Sequence, residues 1–140
     1  MSKPVIVSVT KSFSMPAERV YDAWLDPDRV RKWFSPGLGP MVRVHVDARV
    51  GGRFSFVQRR DEGDVDHIGE YRELNRPHRL VFTWGIAPDP AESVVTIDIV
   101  STADGCELTL THEIPAQWAD YAERTKGGWT MLLDLIEQNA

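Results

Sequence analysis

Cysteine is nearly absent. Cys106 is the only one in 140 residues, so no internal disulfide can form and a reducing compartment suits the chain. No apolar run approaches the ~18 residues that cross a bilayer. The opening MSKPVIVSV lacks the long apolar stretch of a signal peptide, so the expected location is cytoplasmic, with no membrane insertion. Repeats, linkers and low-complexity tracts are missing, which leaves one domain over residues 1–140. Positive charge is in the minority: 16 Lys and Arg stand against 21 Asp and Glu, for a net charge of −5. A nucleic-acid partner is excluded on that ground, because phosphate contacts need clustered cations. The one Arg-Arg doublet, Arg59-Arg60, sits beside Asp61 and Glu62 and reads as a solvated turn.

Catalytic signatures are missing as well. There is no G-x-S-x-G, no Cys/His nucleophile pattern and no phosphate loop, and Gly51-Gly52 precedes a strand rather than a helix. The four histidines, His45, His67, His78 and His112, have no ligand spacing, so neither a metal nor any other cofactor is expected.

What remains is an ordinary globular composition, 42% hydrophobic and 26% charged, arranged in clear periods. Residues 4–13 alternate, with Val5, Val7, Val9 and Phe13 on one parity, and predict a half-buried strand. Ser14 and Pro16 open a helix whose Ala17, Val20, Tyr21 and Trp24 share one face. Asp26-Pro27 caps a second short helix carrying Val30, Trp33 and Phe34, which Ser35-Pro36-Gly37 stops. From Met41 the period becomes two. Val42, Val44, Val46, Ala48 and Val50 predict a strand, Gly51-Gly52 a hairpin turn, and Phe54 and Phe56 the inner face of the return. A charged turn over 59–66 follows. The next strand, 67–74, places His67, Gly69 and Tyr71 on one parity. Leu80, Phe82 and Trp84 mark a fifth strand and Val95, Ile97 and Ile99 a sixth. Asp104-Gly105 predicts a hairpin into a seventh, with Leu108, Leu110 and His112. Residues 116–138 read as one long helix with Trp129, Leu132, Leu133 and Ile136 buried. Gly127-Gly128 inside it costs about 1 kcal/mol per glycine. Close contact with the sheet or a bulky ring is the expected compensation.

The order of these pieces carries a resemblance. Pro16-Ala17-Glu18-Arg19-Val20-Tyr21-Asp22-Ala23-Trp24 is followed by Asp26-Pro27 and Trp33. Then come Gly51-Gly52-Arg53-Phe54, Gly69-Glu70-Tyr71-Arg72-Glu73-Leu74, Pro77, and Arg79-Leu80-Val81-Phe82-Thr83-Trp84. The end reads Leu108-Thr109-Leu110-Thr111-His112 and Gly128-Trp129 with Leu132 and Leu135. Over nearly its whole length the chain resembles the START-like (SRPBCC) superfamily. Within it, the chain is similar to the bacterial family named after the heat-shock-protein-90 ATPase activator. The resemblance implies an α+β helix-grip fold: a curved seven-stranded antiparallel sheet around a long C-terminal helix, with two short helices after the first strand.

The candidate site follows from the aromatic excess at inward positions. Phe54, Phe56, Tyr71, Phe82 and Trp84 lie on inner strand parities, Trp24, Trp129 and Leu133 approach from helices, and Trp33 and Phe34 sit near the mouth. His67, Tyr71 and His112 are the polar members, and Gly69 removes a side chain from the same surface. Together these thirteen residues are expected to bound a void of ~300–1,000 Å³. Glu70 and Glu73 are expected to pair with arginines, and Cys106 to be a turn residue. The cavity and the resemblance leave three functional readings open: a binding protein for a small apolar molecule such as a lipid or polyketide and, as the resemblance implies, a cyclase or aromatase in the same cavity or a module contacting a chaperone. A homodimer is compatible with each.

Overall fold

The computed structural model describes residues 3–34, 36–89 and 91–139. Ser35 and Pro90, which belong to two expected loops, lie outside them. The chain runs β1 (Val5–Phe13), α1 (Ala17–Ala23), α2 (Pro27–Trp33), a 3₁₀ turn (Pro36–Leu38), β2 (Met41–Val46), β3 (Arg53–Arg60), β4 (Gly63–Asn75), β5 (Arg79–Ile86), β6 (Ser93–Thr102) and β7 (Gly105–Ile114). A 3₁₀ segment (Ala116–Tyr121) then leads into α3 (Ala122–Asn139). The strands form one antiparallel sheet in the order β1-β7-β6-β5-β4-β3-β2. This is the expected α+β helix-grip architecture. Among the described residues no helix is long and apolar enough to cross a membrane.

The helices form where the apolar spacing places them. Ala17, Val20, Tyr21 and Ala23 are the buried face of α1. Pro16, not Ser14, occupies its N-cap position, without a side-chain cap. Asp26 does cap α2: its carboxylate accepts from Asp28 N–H at 3.0 Å, with Pro27 at the first helical position. In α3 the stripe Trp129, Leu132, Leu133 and Ile136 is buried, and Lys11 of β1 holds Asp134 at 2.8 Å. Two hydrogen bonds of 2.8 Å from Arg76 to Asp22 fasten α1 to the β4–β5 turn.

Several boundaries differ from expectation, each for a local reason. β2 stops at Val46 because the chain folds back on itself: Arg49 N–H donates to Asp47 O at 2.8 Å and Gly52 N–H to Arg49 O at 2.8 Å. Ala48 and Val50 thereby leave the ladder, and Gly51 takes the left-handed φ of +85° that favours glycine. A register shift between Met41 and Arg43 turns Val42 outward. Most of the expected charged turn is strand, since Arg59 pairs with Asp64 and Arg60 with Gly63 across a turn at 61–62. The β6–β7 turn residues are Ala103 and Asp104, because Thr102 pairs with Gly105. Cys106 is therefore a fully buried strand residue opposite Phe13, not a turn residue, and burial pushes its thiol pKa up.

The expected C-terminal helix is split: Trp118 has φ −105° and ψ 15°, so 116–121 stays 3₁₀ and the α-helix starts at Ala122. The glycine pair inside it does not have the expected packing. A Cβ at Gly127 or at Gly128 would meet nothing within 4 Å.

Candidate functional site

Nine aromatic side chains interlock on the concave face. Trp24, Trp33, Phe34, Phe54, Phe56, Tyr71, Phe82, Trp84 and Trp129 surround a space of only about 10 Å³, the scale of one water molecule. Ring centroids lie 5.1 Å apart for Trp24–Trp33, 4.9 Å for Phe54–Phe56 and 5.4 Å for Trp84–Trp129. Such offset and edge-on contacts fill the interior well. Trp33 Nε1 donates to Ala23 O at 2.8 Å. Trp24 Nε1 is the one buried side-chain polar atom without a hydrogen-bond partner among the described residues.

Gly69 does not open this space. Phe54 is its cross-strand partner, and a Cβ on Gly69 would collide with the Phe54 ring and the Thr83 carbonyl oxygen. The glycine is a seat for a ring, so the expected gap is already filled.

The open room lies to one side. A cleft of about 950 Å³ runs between the ends of β5, β6 and β7 and the segment from Pro115 into α3. Of the thirteen residues anticipated from sequence, Phe34, His67, Trp84, His112 and Trp129 line it. Trp24, Trp33, Phe54, Phe56, Tyr71 and Phe82 belong to the ring cluster. Leu133 is fully buried. Gly128 borders the cleft, which explains its empty Cβ direction: it opens onto a void instead of resting on a neighbour.

Sequence reasoning missed the remainder of the wall. Trp118 and Tyr121 lie 45% and 47% exposed at its mouth, with ring centroids 5.7 Å apart. The cation of Arg124 lies 5.7 Å from the Tyr121 ring centroid. Arg60 also lines the cleft. One signal could have found it: the inner parity of Phe54 and Phe56 continues through Gln58 to Arg60.

The polar wall has a definite hydrogen-bond direction. Trp129 Nε1 can only donate, and it lies 3.0 Å from His112 Nδ1. His112 Nδ1 is therefore an acceptor and Nε2 carries the proton, directed at Ser93 Oγ at 2.8 Å. Ser93 Oγ in turn donates a hydrogen bond to Trp84 O at 2.6 Å. The imidazole is neutral, and burial lowers its pKa to about 4. With Nδ1 occupied by an indole N–H and Nε2 already protonated, His112 cannot draw a proton from Ser93. The pair is thus not arranged as a nucleophile and its base. His67 is neutral in the opposite tautomer. Its Nδ1 donates to Phe56 O at 3.0 Å and its Nε2 faces Arg60. Burial, and secondarily the Arg60 charge, lower its pKa.

The fold and this cleft define the class: an α+β helix-grip module with a recess beside the C-terminal helix, consistent with the START-like superfamily. The chain belongs to the Activator of Hsp90 ATPase homolog 1-like protein family, whose model matches residues 14–140. It is similar to a Chromobacterium violaceum protein of known crystal structure, with 29% identity, a TM-score of 0.82 and coverage of 96% of both chains. An AHSA1-like protein of Aeromonas hydrophila, solved by NMR, is 24% identical with a TM-score of 0.81, over 96% of this chain and 91% of that one. A Nitrosomonas europaea protein shares 22% identity at a TM-score of 0.82, over 96% and 92% of the two chains. At those last two identities the likeness shows the fold alone. Among curated proteins none matches the chain.

Proposed function

We propose that this protein binds a small apolar molecule in the cleft between the ends of β5–β7 and the start of α3. The observation that carries the reading is the cleft itself, whose volume of about 950 Å³ falls on the scale of small-molecule sites. Its wall combines Phe34, Trp84, Trp129 and Leu132 with a few polar groups of fixed direction. Binding is favoured over acid–base catalysis because both nitrogens of His112 are committed to structural hydrogen bonds.

Gly128 supplies a clean test. A leucine there projects into the cleft and meets no neighbouring atom at its Cβ. In the helix interior leucine is favoured over glycine by about 0.8 kcal/mol. The parent should enhance the fluorescence of the neutral probe N-phenyl-1-naphthylamine saturably. Gly128→Leu should weaken that binding at least about ten-fold, the loss expected when a wall group fills its ligand's space, without lowering the melting temperature. Failure of the parent to bind, or equal binding by a well-folded Gly128→Leu protein, contradicts the reading.

A further inference from the structure

One charged side chain is recessed into the cleft wall. Arg60 is half-buried, whereas Asp89, Glu92 and Arg124 are exposed at the rim. Its Nε donates to Gln58 Oε1 at 3.0 Å, and its Nη2 lies at the long distance of 3.5 Å from His67 Nε2. Both acceptors are neutral. Gln58 is completely buried, and its amide nitrogen donates to Gly39 O at 3.1 Å and Phe34 O at 3.3 Å. The guanidinium therefore stands on a fixed base. Among the described residues no carboxylate pairs with it, while the adjacent Arg59 faces outward to Asp64 at 3.4 Å. A partly desolvated cation without a counter-charge is costly, and an anion arriving in the cleft relieves that cost.

We propose that the cleft takes an apolar carboxylic acid whose carboxylate is received by Arg60 and whose body lies against Phe34, Trp84 and Ile86. This rests on the small-molecule reading above and names its ligand class. The planar guanidinium fork fits a carboxylate with two parallel hydrogen bonds, which an ammonium cannot match. A single recessed positive charge balances a single negative one. A phosphate monoester would bring a second charge into a cleft whose rim, with Asp89 and Glu92 against Arg124, already carries a net negative charge.

The test uses 11-(dansylamino)undecanoic acid and its methyl ester, which share one apolar body. The parent should bind the acid about ten-fold more tightly than the ester, the scale of one charge-assisted hydrogen-bonded pair. Arg60→Met should bring the acid down to the affinity of the ester, and a melting temperature matching that of the parent shows that the variant is folded. Arg60→Lys should keep only part of the preference. Dodecanoic acid should displace the bound acid better than dodecyl phosphate does. Equal binding of acid and ester by the parent overturns the carboxylate assignment while the small-molecule reading stands. So does a preference that survives in Arg60→Met, or stronger competition by the phosphate. If neither probe binds the parent, both fall together.

Discussion

Alanine at Gly69 should destabilise the protein by about 3 kcal/mol, the upper range for forcing atoms into a packed interior. The added methyl group has no room: the Phe54 ring and the Thr83 carbonyl oxygen both crowd the position its carbon would take. Neither obstacle is the end of a flexible chain. Phe54 is wedged among Phe56, Tyr71, Phe82 and Trp84, and the carbonyl belongs to the backbone of β5, whose Thr83 hydroxyl also accepts from Glu70 N–H at 2.9 Å. Urea denaturation of parent and variant measures the difference. A loss below about 1 kcal/mol, within the ordinary range for a tolerated substitution, would mean that the ring is not seated on Gly69.

A comparable effect should come from pH. His112 is neutral in the folded state with a pKa lowered to about 4, against an ordinary value of 6.5. The unfolded chain thus binds the proton more readily, and stability rises with pH across that window. The contribution is fully present above 6.5 and is lost as the pH falls toward 4, amounting to about 3 kcal/mol. The physical cause is burial, which penalises the charged imidazolium; the network offers that charge no relief, because a proton on Nδ1 would face the indole N–H of Trp129. His67 is shifted in the same direction and adds to the trend. Comparison with His112→Gln isolates the larger contribution. The stability gap between parent and variant should shrink by about 3 kcal/mol from neutral pH down to pH 4. A gap that stays constant over that range would show that His112 titrates normally.

Periodicity made most of the fold legible. The change from a period of 3.6 to one of 2 at Met41 marks the start of β2, and the inner residues of β3 to β7 fall on the expected parities. Alternation does not report where a strand leaves its ladder. Val50 keeps the pattern of β2 yet lies in the turn closed by Arg49 and Gly52.

The site was legible only in part, because a void is a property of side-chain volumes meeting in three dimensions. Phe54 and Gly69 each fit an inner face, but only the cross-strand register puts the ring of one onto the other. Gly127 and Gly128 signal a broken helix rule, and sequence alone does not distinguish a tight contact from an open wall. Arg60 was obscured by the acidic residues beside it, although its parity with Phe54, Phe56 and Gln58 assigns it to the inner face. The rim residues Trp118 and Tyr121 depend on the kink at Trp118, which holds the chain 3₁₀ before α3 begins.

The open room lies in the cleft and not inside the ring cluster. The five tryptophans report both places through their indole N–H signals. Trp118 lines the cleft alone, Trp84 and Trp129 stand between the cleft and the ring cluster, and Trp24 and Trp33 line the cluster alone. Titration of ¹⁵N-labelled protein with N-phenyl-1-naphthylamine should move the Trp84, Trp118 and Trp129 signals in step and leave Trp33, bonded to Ala23 O, in place. Movement of Trp24 and Trp33 with a stationary Trp118 would place the ligand in the cluster and contradict the account.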